Sequence, residues 1–244
     1  MSGRDPQLVG QTLLVIGGSS GIGLETARQA HGEGAKVIIT ARDPARVQRA
    51  GLEVEGSIAA FDATDFHRLA RFFDELGTPI DHVLVTGPGP HDVALADFDV
   101  DEARRDLEAH LLLPLQVARQ APKMVRPGGT LLFTGCTDGR QAIAGPSFIS
   151  AITAALSAVT KGLASELAPI RVNVIAAGFV DTPLSAAILG DRLSARREQL
   201  QTNLPIRRVI GPADIAALAV HLMTNTAATG ATFEIDGGQQ LVER

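Results

Sequence analysis

Short apolar runs, most of them followed within a few residues by glycine or proline, alternate with longer helix-patterned stretches along nearly the whole sequence. The runs lie at 12–16, 36–40, 82–86, 130–134, 172–176 and 232–236, with a weaker one at 57–61. Most are continuous rather than alternating, which is the pattern of strands buried on both faces of a parallel sheet. Helical patterns fall near 21–33, 65–76, 99–121, 146–168 and 212–223. Repeated β-α-β spacing implies right-handed crossovers with helices on both faces. The expected architecture is therefore a Rossmann-type, doubly wound α/β sheet of about seven strands. No low-complexity segment or linker divides the chain, so residues 1–244 are read as one dinucleotide-binding domain. The stretch 178–211 lacks a strand signal and is placed as a lid at the carboxyl edge of the sheet, where ligands bind in such folds.

The first run leads into Gly17-Gly18-Ser19-Ser20-Gly21-Ile22-Gly23 and then a helix. Glycines let the backbone turn tightly and approach a ligand without Cβ collisions. The helix start offers unpaired N–H groups and a positive dipole end to a pyrophosphate. Ser19 and Ser20 also suit a helix cap. An acidic residue that would hold an NAD ribose is expected about 20 residues on, at the end of the second strand. The sequence there reads Ile39-Thr40-Ala41-Arg42, with no carboxylate. An arginine pairs bidentately with a phosphate, so Arg42 favours NADP(H) over NAD(H). The plainer reading is that Arg42 solvates the next helix and that Asp43 neutralises it.

Composition narrows the chemistry. The 244 residues are 45% hydrophobic and 20% charged, with a formal net charge of −5. An acidic chain without a basic block is a poor match for nucleic acid. One cysteine excludes a disulfide framework, and the histidines show no paired metal spacing, so no metal is expected. The polar start is unlike a signal peptide and the apolar runs look too short for a bilayer. A cytoplasmic location without membrane contact is expected. The sequence contains no Tyr and no Trp, which removes any mechanism that uses a phenol as proton donor.

The segments IGGSSGIG at 16–23, FDATD at 61–65, VTGPG at 85–89, GGTLLFTG at 128–135, RVNVIAAGFVDTPL at 171–184 and EIDGG at 234–238 resemble the short-chain dehydrogenase/reductase family over nearly the whole chain. The resemblance implies a nicotinamide cofactor across the carboxyl edge of the sheet. It places Asp62 and Ala63 beside the adenine. Gly87 and Pro88 fall near the adenine ribose, where the family has an Asn-Asn-Ala-Gly run. Gly178, Val180 and Thr182 fall at the nicotinamide end, with Ala177 in place of a usual proline. The family's proton-coupled hydride transfer uses an asparagine, a serine, a tyrosine and a lysine. Registered without a gap on Lys161, Ala164, Glu166 and the Arg171–Asn173 run, those positions hold His110, Cys136, Ile149 and Thr153. Isoleucine transfers no proton, and threonine carries no charge to lower a neighbour's pKa.

Cys136 and His110 are the weak candidates for a replacement donor, with His91, Asp138 and Ser150 behind them. For each a bland reading stands: a packed thiol, a core imidazole, a solvated loop. The expected function is an NADP(H)-dependent oxidoreductase with an atypical site, acting on an unknown small molecule. Activated C=C or C=N bonds, which need less oxygen protonation, fit it better than plain ketones. The alternative is a non-catalytic NADP(H)-binding redox sensor or partner subunit. A third reading keeps only the fold, since Thr153 weakens ribose binding and Pro88 and Pro90 stiffen a cofactor loop. The family's habit implies a homodimer or homotetramer, and small residues at Ala151, Ala155 and Ala158 in 146–167 suit close helix contact.

Overall fold

A computed structural model of the chain describes residues 7–89, 93–137 and 147–242. Seven strands form one sheet: β1 Thr12–Ile16, β2 Lys36–Ala41, β3 Ser57–Ala60, β4 Ile80–Val85, β5 Val125–Cys136, β6 Arg171–Ala177 and β7 Thr232–Ile235. Their order is β3-β2-β1-β4-β5-β6-β7 and every pairing is parallel. The order reverses between β1 and β4, which opens a crevice at their carboxyl ends. Side chains alternate across the sheet. Leu14, Ile16, Val83, Val85 and Phe133 face one core layer, and Leu13, Val15, Leu84, Leu132 and Ile175 face the other. Two buried faces are why the strands read as unbroken apolar runs.

The helices are α1 Gly21–Gly32, α2 Pro44–Glu53, α3 Phe66–Glu75, α4 Val100–Leu107, α5 Leu113–Met124, α6 Ser147–Glu166, α7 Pro183–Leu189, α8 Leu193–Asn203, α9 Pro212–Thr224 and α10 Gln239–Val242. Side chains of α3, α5 and α6 cover the first layer, and those of α1, α2 and α9 the second.

Several expectations are corrected. The helix pattern at 99–121 is two helices joined by a π-helical turn, Glu108–Leu112. The helix α2 carries no sequence signal because only Val47, Ala50 and Gly51 on it are buried. Strand β5 begins at Val125 rather than 130, because it pairs at Ile80–Val125, bulges, and resumes at His82–Thr130. Gly129 permits this: a Cβ there would lie 2.4 Å from Asp81 O. The stretch 178–211 holds two helices, α7 and α8. Finally, α6 is long and apolar enough to cross a bilayer, against the expectation that no stretch is. Its large side chains, Ile149, Ile152, Leu156 and Leu163, are instead buried within the protein.

Candidate functional site

The turn after β1 is a cradle only glycine can build. Gly17 N and Gly18 N donate to Thr40 O at 2.9 and 3.1 Å, tying the turn to β2. Gly17 has φ +87°, and a Cβ there would lie 2.4 Å from Thr86 Oγ1. The Thr86 hydroxyl in turn donates to Gly17 O at 3.0 Å and reaches Ile16 O at 3.2 Å, locking the ends of β1 and β4 together. A Cβ on Gly23 would lie 2.5 Å from Gly17 O. Ser20 is the residue before α1 but makes no side-chain cap bond to it, which corrects the capping role read from sequence. The first N–H groups of α1 are thus left for an external acceptor. Ile22 packs partly buried against the adjoining core layer. Ser19 sits half-buried in the turn.

Arg42 follows β2 directly, is exposed, and makes no hydrogen bond or ion pair to a described residue. Asp43 does not neutralise it. Its carboxylate accepts from Arg46 N at 3.0 Å as the cap of α2. Asp62, past the end of β3, accepts from Thr64 N at 2.9 Å and Thr64 Oγ1 at 2.7 Å through one oxygen, Oδ1. Ala63 beside it packs on the core.

At the next strand ends, the His110 ring lies against the Gly87 backbone. A Cβ on Gly87 would meet His110 Cε1 at 3.1 Å. The π-turn puts it there, midway between α4 and α5. Pro88 is exposed. Cys136 ends β5 opposite Ala177 and is half-buried. Ile149, near the start of α6, is 5% exposed. Thr153 lies one turn further and half-buried, as does Ser150. Leu156, on the same helix, sits 3.5 Å from where a Gly135 Cβ would be. The first two turns of α6 therefore extend past the carboxyl end of β5. His91 and Asp138 lie outside the described residues. Thr137, which carries no distinctive sequence signal, is buried next to Cys136, and its Oγ1 has no hydrogen-bond partner among the described residues.

Past β6, Gly178 passes so close to β7 that a Cβ would lie 2.7 Å from Asp236 Cβ. Phe179 N donates to Gln239 Oε1 at 2.9 Å. Asp236 accepts from Gly238 N at 2.8 Å and Gln240 N at 3.0 Å, so the EIDGG segment is a brace for this loop. Buried Val180 bridges to Ile210, which closes the base of the 178–211 excursion. Asp181 pairs with Arg197 of α8 at 2.7 Å, a second tie. Thr182 caps α7 in a reciprocal box with Ser185, and its methyl would lie 3.4 Å from a Gly21 Cβ. At the other end of α7, Ile188 would meet a Gly89 Cβ at 2.8 Å. Leu184 and Ile188 were also missed, because an exposed apolar pair on a short helix has no distinctive spacing. Helix α7 thus runs from the glycine turn to the loop after β4, across the mouth of the crevice. Among the described residues no group of His, Cys, Asp or Glu could hold a metal.

The residues brought together are the glycine turn, Arg42, Asp62, Gly87, His110, Cys136, Ile149 and Thr182, all at the carboxyl edge. A family model described as enoyl-(acyl carrier protein) reductase matches residues 16–240. Short-chain dehydrogenase/reductase ATR9 of Stachybotrys chlorohalonatus (strain IBT 40285) is 29% identical over 249 residues, covering 96% of this chain and 98% of that protein. The 3-oxoacyl-(acyl-carrier-protein) reductase MabA of Mycobacterium tuberculosis (strain ATCC 25618 / H37Rv) is 29% identical over 243 residues, covering 97% and 95%. Among solved structures, BdcA in complex with NADPH superimposes with a TM-score of 0.84 at 25% identity, covering 95% of each chain.

Proposed function

The chain belongs to the short-chain dehydrogenase/reductase family of oxidoreductases, and from that premise we propose that it binds NADP(H) in the crevice and works as a hydride-transferring enzyme with an altered proton-handling set. The carrying observation is the glycine cradle. Side chains at Gly17 or Gly23 would collide with backbone, and the first turn of α1 has no side-chain cap. That arrangement fits a pyrophosphate, held by backbone N–H groups and the helix dipole. Arg42, without a partner among the described residues, would hold a ribose phosphate bidentately. Asp62, with one carboxylate oxygen left over, and Ala63 would flank the adenine. Gly87 and Pro88 would border its ribose. Val180 and Thr182 would meet the nicotinamide amide beneath α7. The bound cofactor supplies the hydride; the chain positions both partners and excludes water with α7. Several solved relatives in the family are NADPH complexes, which supports the phosphorylated cofactor here.

The acid–base group is the open part of the site. We propose His110 over Cys136 as its proton-relaying member, because the ring touches the backbone of Gly87 while the thiol is a weak donor. Calorimetric titration with NADPH, NADP⁺, NADH and NAD⁺ tests the reading. We expect micromolar NADPH binding, and Arg42→Ala should weaken it ~10–100-fold, as the loss of a charge-assisted bidentate pair does, with little effect on NADH. An equal loss for both cofactors would overturn the assignment of Arg42. Binding without turnover on any carbonyl, enone or iminium would favour a cofactor-binding partner subunit. No binding of any of the four would overturn the cofactor itself.

A further inference from the structure

At the amino end of the sheet, the edge away from the cofactor crevice, β4, β5 and β6 carry a polar row on a face that is otherwise apolar. His82 pairs in register with Thr130, and Thr130 with Arg171. His82 and Arg171 are 3% and 6% exposed. His82 also lines an open cleft of about 390 Å³ with Gln7, Gln11, Asp81, Thr224 and Thr226. Gln11 fixes the sense of the ring. Its Nε2 donates to Gln7 O at 3.3 Å, so its Oε1, 2.6 Å from His82 Nε2, accepts from that nitrogen. His82 Nδ1 is then a lone-pair acceptor. It is buried and meets no hydrogen-bond partner among the described residues, and Arg171 Nε, an N–H donor in the same row, meets none either. A buried polar atom without a partner bears its whole desolvation cost, so each gains from a group of the opposite sense.

We propose that this cleft is a second ligand site, and that it takes a neutral polyol whose hydroxyls engage His82 and the amides and hydroxyls around it. A hydroxyl donates through its hydrogen and accepts on its oxygen, the two senses that the row lacks. The charges around the cleft disfavour ions. An anion would face the lone pair of Nδ1 and the carboxylate of Asp81. That carboxylate is already engaged by Arg126 Nη1 at 2.7 Å and by Thr12 N at 2.7 Å, so it offers little to a cation. A cation would also be repelled by Arg171, which stays charged and lies close enough to act on the His82 ring. Burial, opposed by Asp81 and reinforced by Arg171, holds the His82 pKa down at about 4, so Nδ1 keeps its lone pair at neutral pH. Gln7 and Thr226, both exposed, add neutral donors and acceptors at the mouth. None of these residues belongs to the cofactor crevice, so the site stands apart from the nicotinamide-dependent reading.

The test follows the imidazoles in two-bond proton–nitrogen spectra of labelled protein, with myo-inositol as the polyol and acetate and tetramethylammonium as the ions. The His82 signals are those lost in His82→Leu, or in His82→Gln where the leucine variant does not fold. We expect myo-inositol to shift the Nδ1 resonance saturably, at the millimolar concentrations open to a ligand of about a dozen heavy atoms. The shift should be the same with and without NADPH. Thr226→Phe, which fills the exposed mouth, should weaken binding at least ~10-fold with an unchanged urea midpoint. Acetate and tetramethylammonium should leave Nδ1 where it is. A linear drift that never saturates, as general exclusion of polyols from a protein surface gives, would overturn the site. So would saturable binding that leaves Nδ1 unmoved, binding indifferent to Thr226→Phe, or either ion binding as tightly as the polyol.

Discussion

Buried near the amino end of β4, His82 shows how one residue sets a pH limit. Its ring is 3% exposed, and Nε2 lies 2.6 Å from Gln11 Oε1. Gln11 Nε2 donates to Gln7 O, which orients the amide so that His82 Nε2 carries the proton. Burial, with nearby Arg171 adding to it and Asp81 opposing, pushes its pKa down from 6.5 to about 4. The folded state holds the neutral ring, whereas the unfolded chain takes a proton near 6.5. Between those values the unfolded state binds more protons, so stability falls as pH falls through that window. The expected loss is about 3 kcal/mol by the bottom of it. Urea midpoints at pH 7.5 and 4.5 should show it in the wild type, and His82→Gln should flatten it. A midpoint that does not move would mean the ring is charged in the fold. At this scale the sequence was legible where chemistry depends on the residue alone. Arg42 directly follows a strand whose end carries no carboxylate. It was illegible where chemistry depends on neighbours: Thr86 and Thr137 look like any strand-end threonines until β1 and β6 are placed beside them.

Among elements, the join of β6 to α9 rests on Arg171. The guanidinium is buried and donates to Leu222 O, Met223 O, Asn225 O and Ala228 O at 2.7, 2.8, 3.0 and 3.2 Å, and to Thr130 Oγ1. A buried cation at a helix C-terminus satisfies carbonyls that have no intrahelical partner. Desolvation lowers its pKa, but an arginine remains charged. Arg171→Met should cost at least about 3 kcal/mol, since several buried acceptors lose their donor together. A change below about 1 kcal/mol in a urea titration would show that water replaces the guanidinium. Elements with two buried faces or a strong apolar stripe were readable in the sequence. Helix α2 was not, because its cap is Asp43 and its buried stripe is three small residues wide. The early start of β5 was hidden by Pro127 and Gly128, which look like a break and are a bulge.

Over the whole molecule, one sheet edge gathers residues that are far apart in the chain, and the altered chemistry should be reversible there. The sheet, the overhang of α6 and the strap of α7 are all in place, so restoring side chains should restore function. Cys136→Ser, Ile149→Tyr and Thr153→Lys combined in one chain should raise NADPH-dependent reduction of cyclopentanone at least ~10²-fold, the usual worth of general acid help. NADPH titration checks that the variant folds. Retained binding with no gain in rate would mean that these positions do not face the reacting atoms.

The sequence alone determined the doubly wound α/β class, the glycine turn on the first strand and the absence of any tyrosine. Each of these is a local matter of period, backbone freedom or side-chain type. Only the tertiary structure decided that Asp43 is spent on a helix cap, that His110 lies under Gly87, and that α7 spans from Gly21 to Gly89. Those facts depend on which strand ends come together, and parallel pairing joins residues whose separation in sequence carries no signal of their contact.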